Sequence, residues 1–305
     1  MARAFLKILT TAGLVFMPML LSACLFHDPL EELDPATLEN AAFDTLPPSE
    51  SFRVARGHIL ESFGAFACAN CPGAEAKLSP YLHAAPGTSL HIPRLVIVNY
   101  HVAFPGTLTD PWITSATQGR YDRLGFSGLP QVALNGSNAP YGIREKNVLY
   151  AQGEYDSLLA RLRKIDTLTW LDLVVDTSSY DSVAHRLDVR FTALNRATTA
   201  RGALAFQVLA VRNGAFSYYY PSHEWEAVVA ETVERDSAGV PMTLSGMSGL
   251  RSRTWVASLD IPLEAERSPT PSPLENPANY AVIVVARNGQ GIVQNVVARH
   301  DMFFP

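Results

Sequence analysis

The chain has 305 residues, 48% of them hydrophobic, and a formal net charge of −5. That length accommodates two ordinary domains, and the hydrophobic share is that of a globular protein. A mildly acidic balance with no basic cluster argues against a nucleic-acid partner, and no internal repeat is visible.

Residues 1–23 have the three zones of an export signal. Arg3 and Lys7 supply the positive region, and an apolar run follows that Thr10, Thr11, Gly13 and Pro18 interrupt. The run falls short of the ~20 apolar residues needed to span a bilayer. It ends at Leu21-Ser22-Ala23-Cys24, which resembles the bacterial lipobox. That resemblance implies cleavage before Cys24 and acylation of its thiol, and Leu25 in the next position implies the outer membrane. An ordinary secretory signal with an incidental cysteine is the alternative. Residues 24–52 read as an extended tether, with many acidic residues and prolines and with no lysine or arginine. Such a segment buries too little apolar surface to fold alone; the alternative is an arm packed on the first domain.

From residue 53 the pattern is globular. Val54 to Phe63 reads as a buried strand ending at Gly64, followed by Cys68-Ala69-Asn70-Cys71-Pro72-Gly73. A helical pattern starts at Ala74 and closes at Pro86-Gly87. Leu95 to Tyr100 is a near-continuous apolar run of the kind found in parallel sheets. Strand, helix and strand in that order predict a right-handed crossover. Gly128-Leu129-Pro130 opens a further strand, Val132 to Leu134, and Asn135-Gly136 gives a hairpin signal. A last helix is predicted over Glu145 to Lys164, with Leu149, Leu158, Leu159 and Leu162 inward.

Over residues 53–165 the chain resembles the thioredoxin fold, a central mixed sheet flanked by helices. The marks are a CxxC between a buried strand and a helix, with a Leu-Pro opening a later strand. More narrowly, Leu60-Glu61-Ser62-Phe63-Gly64, the CxxC-Pro, Asn99-Tyr100-His101 and the β-rich remainder resemble the thioredoxin-like lipoproteins related to the 28-kDa outer-membrane protein. The resemblance implies a cis peptide bond before Pro130, facing the cysteine pair.

Backbone N–H groups and the positive dipole end at a helix N-terminus favour a thiolate. Cys68 is expected there as the nucleophile, with Cys71 one turn further in to resolve the mixed disulfide. A structural disulfide is the alternative, because export compartments favour oxidation. Where thioredoxins bury an acid, this chain has Ser62. Glu61, one position earlier, should face the other side of the sheet unless the strand bulges; it is either an auxiliary proton group or solvated at a strand end. His101 should emerge on the side of Cys68, to support a thiolate, bind a metal, or serve as an ordinary loop histidine. Two thiolates and a histidine also suit Cu(I). Pro72 rules out covalent haem, which needs histidine directly after the second cysteine, and zinc would want a second ligand pair. Neither a metal nor another cofactor is assigned.

Residues 166–305 read as an all-β, Ig-like sandwich of about seven strands, within Trp170–Val175, Arg186–Ala193, Ala203–Val211, Glu226–Val233, Thr254–Ile261, Tyr280–Ala286 and Ile292–Ala298. Between the third and fourth lies an aromatic run. If exposed, Tyr218, Tyr219, Tyr220 and Trp225 could hold a peptide, glycan or protein; otherwise the run packs over an end of the sandwich. The resulting expectation is a lipid-anchored thiol-disulfide oxidoreductase of the bacterial envelope, acting on protein thiols or disulfides. The alternatives are a binding or structural lipoprotein whose CxxC does not turn over, and a copper chaperone.

Overall fold

The computed structural model describes residues 53–103, 110–136, 144–145, 156–157, 159–160, 162, 168–196, 202–216, 224–244, 251–261, 280–289, 291 and 293–299. The signal, Cys24, the tether, Leu149, Leu158 and Tyr218 to Tyr220 lie outside them. In chain order the elements begin with β1 (Val54–Ala55), β2 (His58–Gly64), α1 (Cys71–Leu82), β3 (Leu95–His101), α2 (Ser115–Arg123), β4 (Gln131–Leu134) and β5 (Arg144–Glu145). There follow β6 (Leu168–Thr169), β7 (Leu171–Asp181), β8 (Arg186–Asn195), β9 (Leu204–Arg212), β10 (Ala215–Phe216) and β11 (Glu224–Trp225). The chain continues through β12 (Val228–Val233), β13 (Thr243–Leu244), β14 (Arg251–Asp260), β15 (Tyr280–Asn288) and β16 (Val293–Arg299).

The result is one large mixed sheet, a smaller all-β layer and few helices. Among the described residues, the large sheet runs β16-β15-β9-β12-β3-β2-β4-β5, with β13 added to β9. β2 and β3 pair in parallel across α1, as the apolar runs predict, and β4 returns antiparallel to β2. Strands from either side of residue 165 meet directly in this sheet. β12 lies parallel to β3 at Val228 and Asn99, and Asn99 N–H donates to the Ala227 carbonyl at 2.8 Å. The Asn99 side chain donates to the Glu226 carbonyl at 2.6 Å and to Glu75 Oε1 on α1 at 2.9 Å. Glu75 Oε1 also accepts from the Glu226 amide at 2.7 Å, so one buried polar clamp splices the two parts.

Alternation along the strands sorts the core into three parts. Leu60, Ile97, Val132 and Leu134 pack under α1 against Ala74, Leu78, Leu159 and Leu162. Residues 156–157, 159–160 and 162 are helical, in agreement with the inward placement of Leu159 and Leu162. On the other face, Ile59, Phe63, Val98 and Tyr100 join Tyr121 and Leu124 of α2 and its C-terminus with Leu209, Ile283 and Val285. The third cluster lies between β9, β12 and β15 and the three-stranded sheet β14-β8-β7, where Phe191, Phe206 and Trp255 interlock.

The large sheet folds back so that β16 meets the start of β2. Gly57 N–H donates to Asn295 Oδ1 at 2.7 Å, Val293 N–H to the Asn135 carbonyl at 3.0 Å, and Arg56 to the Val293 carbonyl. A Cβ on Gly57 would lie 2.0 Å from the Val296 carbonyl oxygen. Because the obstacle is backbone, Gly57→Ala must displace β16 and is expected to cost about 1–3 kcal/mol. A shift in the urea midpoint without a change in slope would measure that loss.

α2 has no counterpart in the sequence-based elements. Its N-cap, Thr114, accepts from Thr117 N–H, while the Thr117 hydroxyl accepts from Thr114 N–H. This capping box uses threonine where glutamate or glutamine is usual.

Candidate redox site

Cys68 and Cys71 form a disulfide, with Cα atoms 5.4 Å apart. The helix begins at Cys71, and Asn70 is its N-cap. This corrects the expected placement, since Cys68 occupies the preceding turn, with its carbonyl accepting from Cys71 N–H at 3.1 Å. Cys71 is 2% exposed, whereas Cys68 is half-buried beside the exposed Ala69 and Asn70. One cysteine is therefore partly open to solvent and the other lies in the core. The Leu129–Pro130 peptide bond is cis, and Leu129 packs against the cluster that holds Cys71 and Cys68.

His101 is the last residue of β3, not a loop residue, and is fully buried. It stands opposite Gly64 in the β2–β3 register. A Cβ on Gly64 would lie 3.5 Å from Cys71 Sγ and 3.6 Å from the Trp225 ring, so Gly64 and Trp225 are the neighbours that His101 shares with the disulfide. Its Nδ1 is 2.7 Å from Asp110 Oδ2. The same carboxylate accepts from Phe66 N–H at 2.7 Å and from Trp112 N–H at 3.0 Å. Asp110 thus ties the turn before Cys68 to the end of β3. Phe66 and Trp225 meet the His101 ring edge-on, with centroids 4.7 and 4.8 Å away.

Trp225 arrives from the other side of the polar splice. It is 2% exposed, so it cannot present a surface to a peptide or glycan. The packed arrangement is realised here, although against the cysteine turn. Ala227, two residues later, has a φ of +52° in the left-handed region that favours glycine. Its N–H donates to Asn213 Oδ1 and its carbonyl accepts from Asn99, which holds this bend in place.

Glu61 is not solvated at a strand end; it is fully buried in mid-strand. It lies on the face away from α1 and is enclosed by two guanidinium groups. Arg120 Nε and Nη2 donate to its two oxygens at 2.9 and 2.8 Å, and Arg287 Nη2 donates at 2.9 Å. Burial alone would raise its pKa, but Arg120 and Arg287 outweigh it and hold the carboxyl down at about 2. Glu61 therefore serves as the counter-ion that joins β2, α2 and β15. Asp110 and Trp225 are the site residues that sequence reasoning missed. The only local hint was Asp110-Pro111-Trp112, whose turn chemistry did not disclose its distant partners. Among the described residues, no three histidine, cysteine or acidic side chains gather as metal ligands.

No family model and no curated protein matches the chain. Among solved structures it is similar to HBP35 of Porphyromonas gingivalis, with a TM-score of 0.60 at 12% identity over 82% of this chain and 77% of that one. At such identity the likeness is one of fold. A domain of the outer membrane lipoprotein Omp28 from Porphyromonas gingivalis overlays on 45% of this chain and 92% of its own length, at 10% identity and a TM-score of 0.28. An overlay at that score carries no argument.

Proposed function

We propose that this chain is a lipid-anchored thiol-disulfide oxidoreductase of the bacterial cell envelope, with Cys68 as nucleophile and Cys71 as resolving thiol. The observation that carries the reading is the asymmetry of the pair. A half-buried cysteine in the turn before the helix can meet a substrate disulfide, while the cysteine at the first helical position is enclosed by the core. Residues 53–165 act as a thioredoxin-like unit, with Pro130 beside the cysteine pair. Residues 166–305 supply an Ig-like elaboration that extends its sheet. The substrates are envelope protein thiols or disulfides.

Trapping tests this reading. Cys71→Ser is expected to accumulate mixed disulfides with envelope proteins, because attack survives and resolution is lost. Cys68→Ser is expected to accumulate few. If neither variant traps a partner, the pair is a structural disulfide and the chain a binding lipoprotein. The anchor is tested separately. Cys24→Ala should release the chain from membranes, and mass spectrometry should show the mature N-terminus at acylated Cys24.

A further inference from the structure

We propose that His101 Nε2 exchanges the proton of the Cys71 thiol, with Asp110 as the positioning residue that holds the imidazole for that task. The proposal rests on the thiol-disulfide reading above and names a proton-transfer group, which Ser62 cannot supply. Three observations carry it. His101 is wholly buried, and its Nε2 has no hydrogen-bond partner among the described residues. An unpaired buried polar atom of this kind carries a desolvation cost and calls for an explanation. Its other nitrogen faces the Asp110 carboxylate at 2.7 Å. A carboxylate kept there by two backbone amides can only accept, so Nδ1 carries a proton and faces Asp110, which leaves Nε2 as the nitrogen free to take up a proton from a neighbour. Finally, Gly64 is register-paired with His101 and lies against Cys71 Sγ, and Trp225 touches the imidazole and approaches the same glycine, so the ring and the buried sulfur share both neighbours.

In the disulfide form neither sulfur has a proton to offer, and Nε2 has nothing to accept. Reduction gives Cys71 an S–H and so gives Nε2 a donor. The cycle balances as follows. The Cys68 thiolate attacks a substrate disulfide, forms a mixed disulfide and releases one substrate thiolate. Cys71 S–H then passes its proton to Nε2, and its sulfur attacks the Cys68 sulfur. The Cys68–Cys71 bond forms, the mixed disulfide breaks, and the second substrate thiolate leaves and takes the proton from the imidazolium. The substrate gains two electrons and the cysteine pair loses two. The remaining charged groups on the packed elements are engaged elsewhere. Glu75 binds Asn99 and the Glu226 amide, Glu226 binds His83, and Arg120 of α2 binds Glu61.

The test uses the full chain with Cys24→Ala, reduced and mixed with 5,5′-dithiobis(2-nitrobenzoate). The first release of thionitrobenzoate reports attack by Cys68, and the second reports resolution by Cys71. His101→Gln is expected to slow the second release by about 100-fold near neutral pH. Its rate should then climb about tenfold per pH unit, where the unsubstituted chain levels off. Asp110→Asn should slow it less and move the pH at which it levels. An unchanged second release with an unchanged pH profile in His101→Gln overturns the proposal, whereas absence of the first release overturns the exchange reading itself. Should His101→Gln fail to fold, nitrogen-15 NMR of the unsubstituted histidine decides. Nε2 should shift upfield on reduction of the disulfide, and a resonance that stays in place overturns the proposal.

Discussion

Glu61→Ala is expected to destabilise the chain by about 3–5 kcal/mol, because it leaves the Arg120 and Arg287 guanidinium groups buried without their counter-ion. Both arginines are under 5% exposed, so water cannot replace the lost carboxylate. Glu61→Gln keeps one acceptor oxygen, sets an amide donor against the other guanidinium contact and loses the charge, and it should fall between Glu61→Ala and the unsubstituted chain. The pH dependence follows from the same geometry. The folded carboxyl is held at about 2 against an ordinary value of 4.5. Its contribution is therefore complete above pH 4.5 and lost as pH falls from there through about 2, a difference of about 3 kcal/mol. His58 adds an earlier stage. Burial, reinforced by Arg56, lowers its pKa to about 4 from 6.5, so the unfolded chain binds that proton first and stability declines between those values. Urea midpoints measured from pH 7 to 2 should show both stages in the unsubstituted chain. Glu61→Gln should show the His58 stage alone. A Glu61→Ala chain within about 1 kcal/mol of the unsubstituted one would remove the ion cluster from any account of how β15 is held to β2.

The strands were legible because burial leaves a period in the sequence. Leu95 to Val98 is apolar throughout because both sides of β3 are packed, and Arg186 to Ala193 alternates because β8 has one exposed face. Which strand pairs with which was not legible. β12 joins β3 through Asn99, Glu75 and the Glu226 backbone, three polar contacts that no spacing announces. α2 escaped notice because its buried face is Thr117, Arg120 and Tyr121, a set with no apolar period. Arg120 is inside only because Glu61 is, and a buried ion pair looks like two surface residues until its partners are known. The cysteine pair was legible from four consecutive residues. Its surroundings were not, because Asp110 and Trp225 reach it from a loop and from the short β10–β11 pair that lies between β9 and β12 in the chain. Even the aromatic run ending at Trp225 carried the right residue type with the wrong surroundings.

Trp225→Ala is expected to change both stability and thiol chemistry, and a control separates the two. Removal of this ring from a fully packed site should cost about 3–5 kcal/mol. Trp255→Ala should cost a similar amount, since that ring is equally enclosed, by Phe191 and Phe206. The two differ in what the vacancy uncovers. Trp225 packs against both Phe66 and His101, beside the position where Gly64 approaches Cys71, so its loss is expected to open the buried cysteine and the imidazole to water. Limited alkylation of the reduced, unsubstituted chain should label Cys68 before Cys71, as their exposures dictate. Trp255→Ala should preserve that order, because the stacked rings around it lie against β8 and β9. Trp225→Ala should bring the two rates together, and Trp225→Phe should restore most of the difference by keeping an aromatic plate in place. If the order survives Trp225→Ala as well as it survives Trp255→Ala, then the indole fills core and does not shield the resolving thiol. The bend at Ala227 would then serve sheet assembly alone.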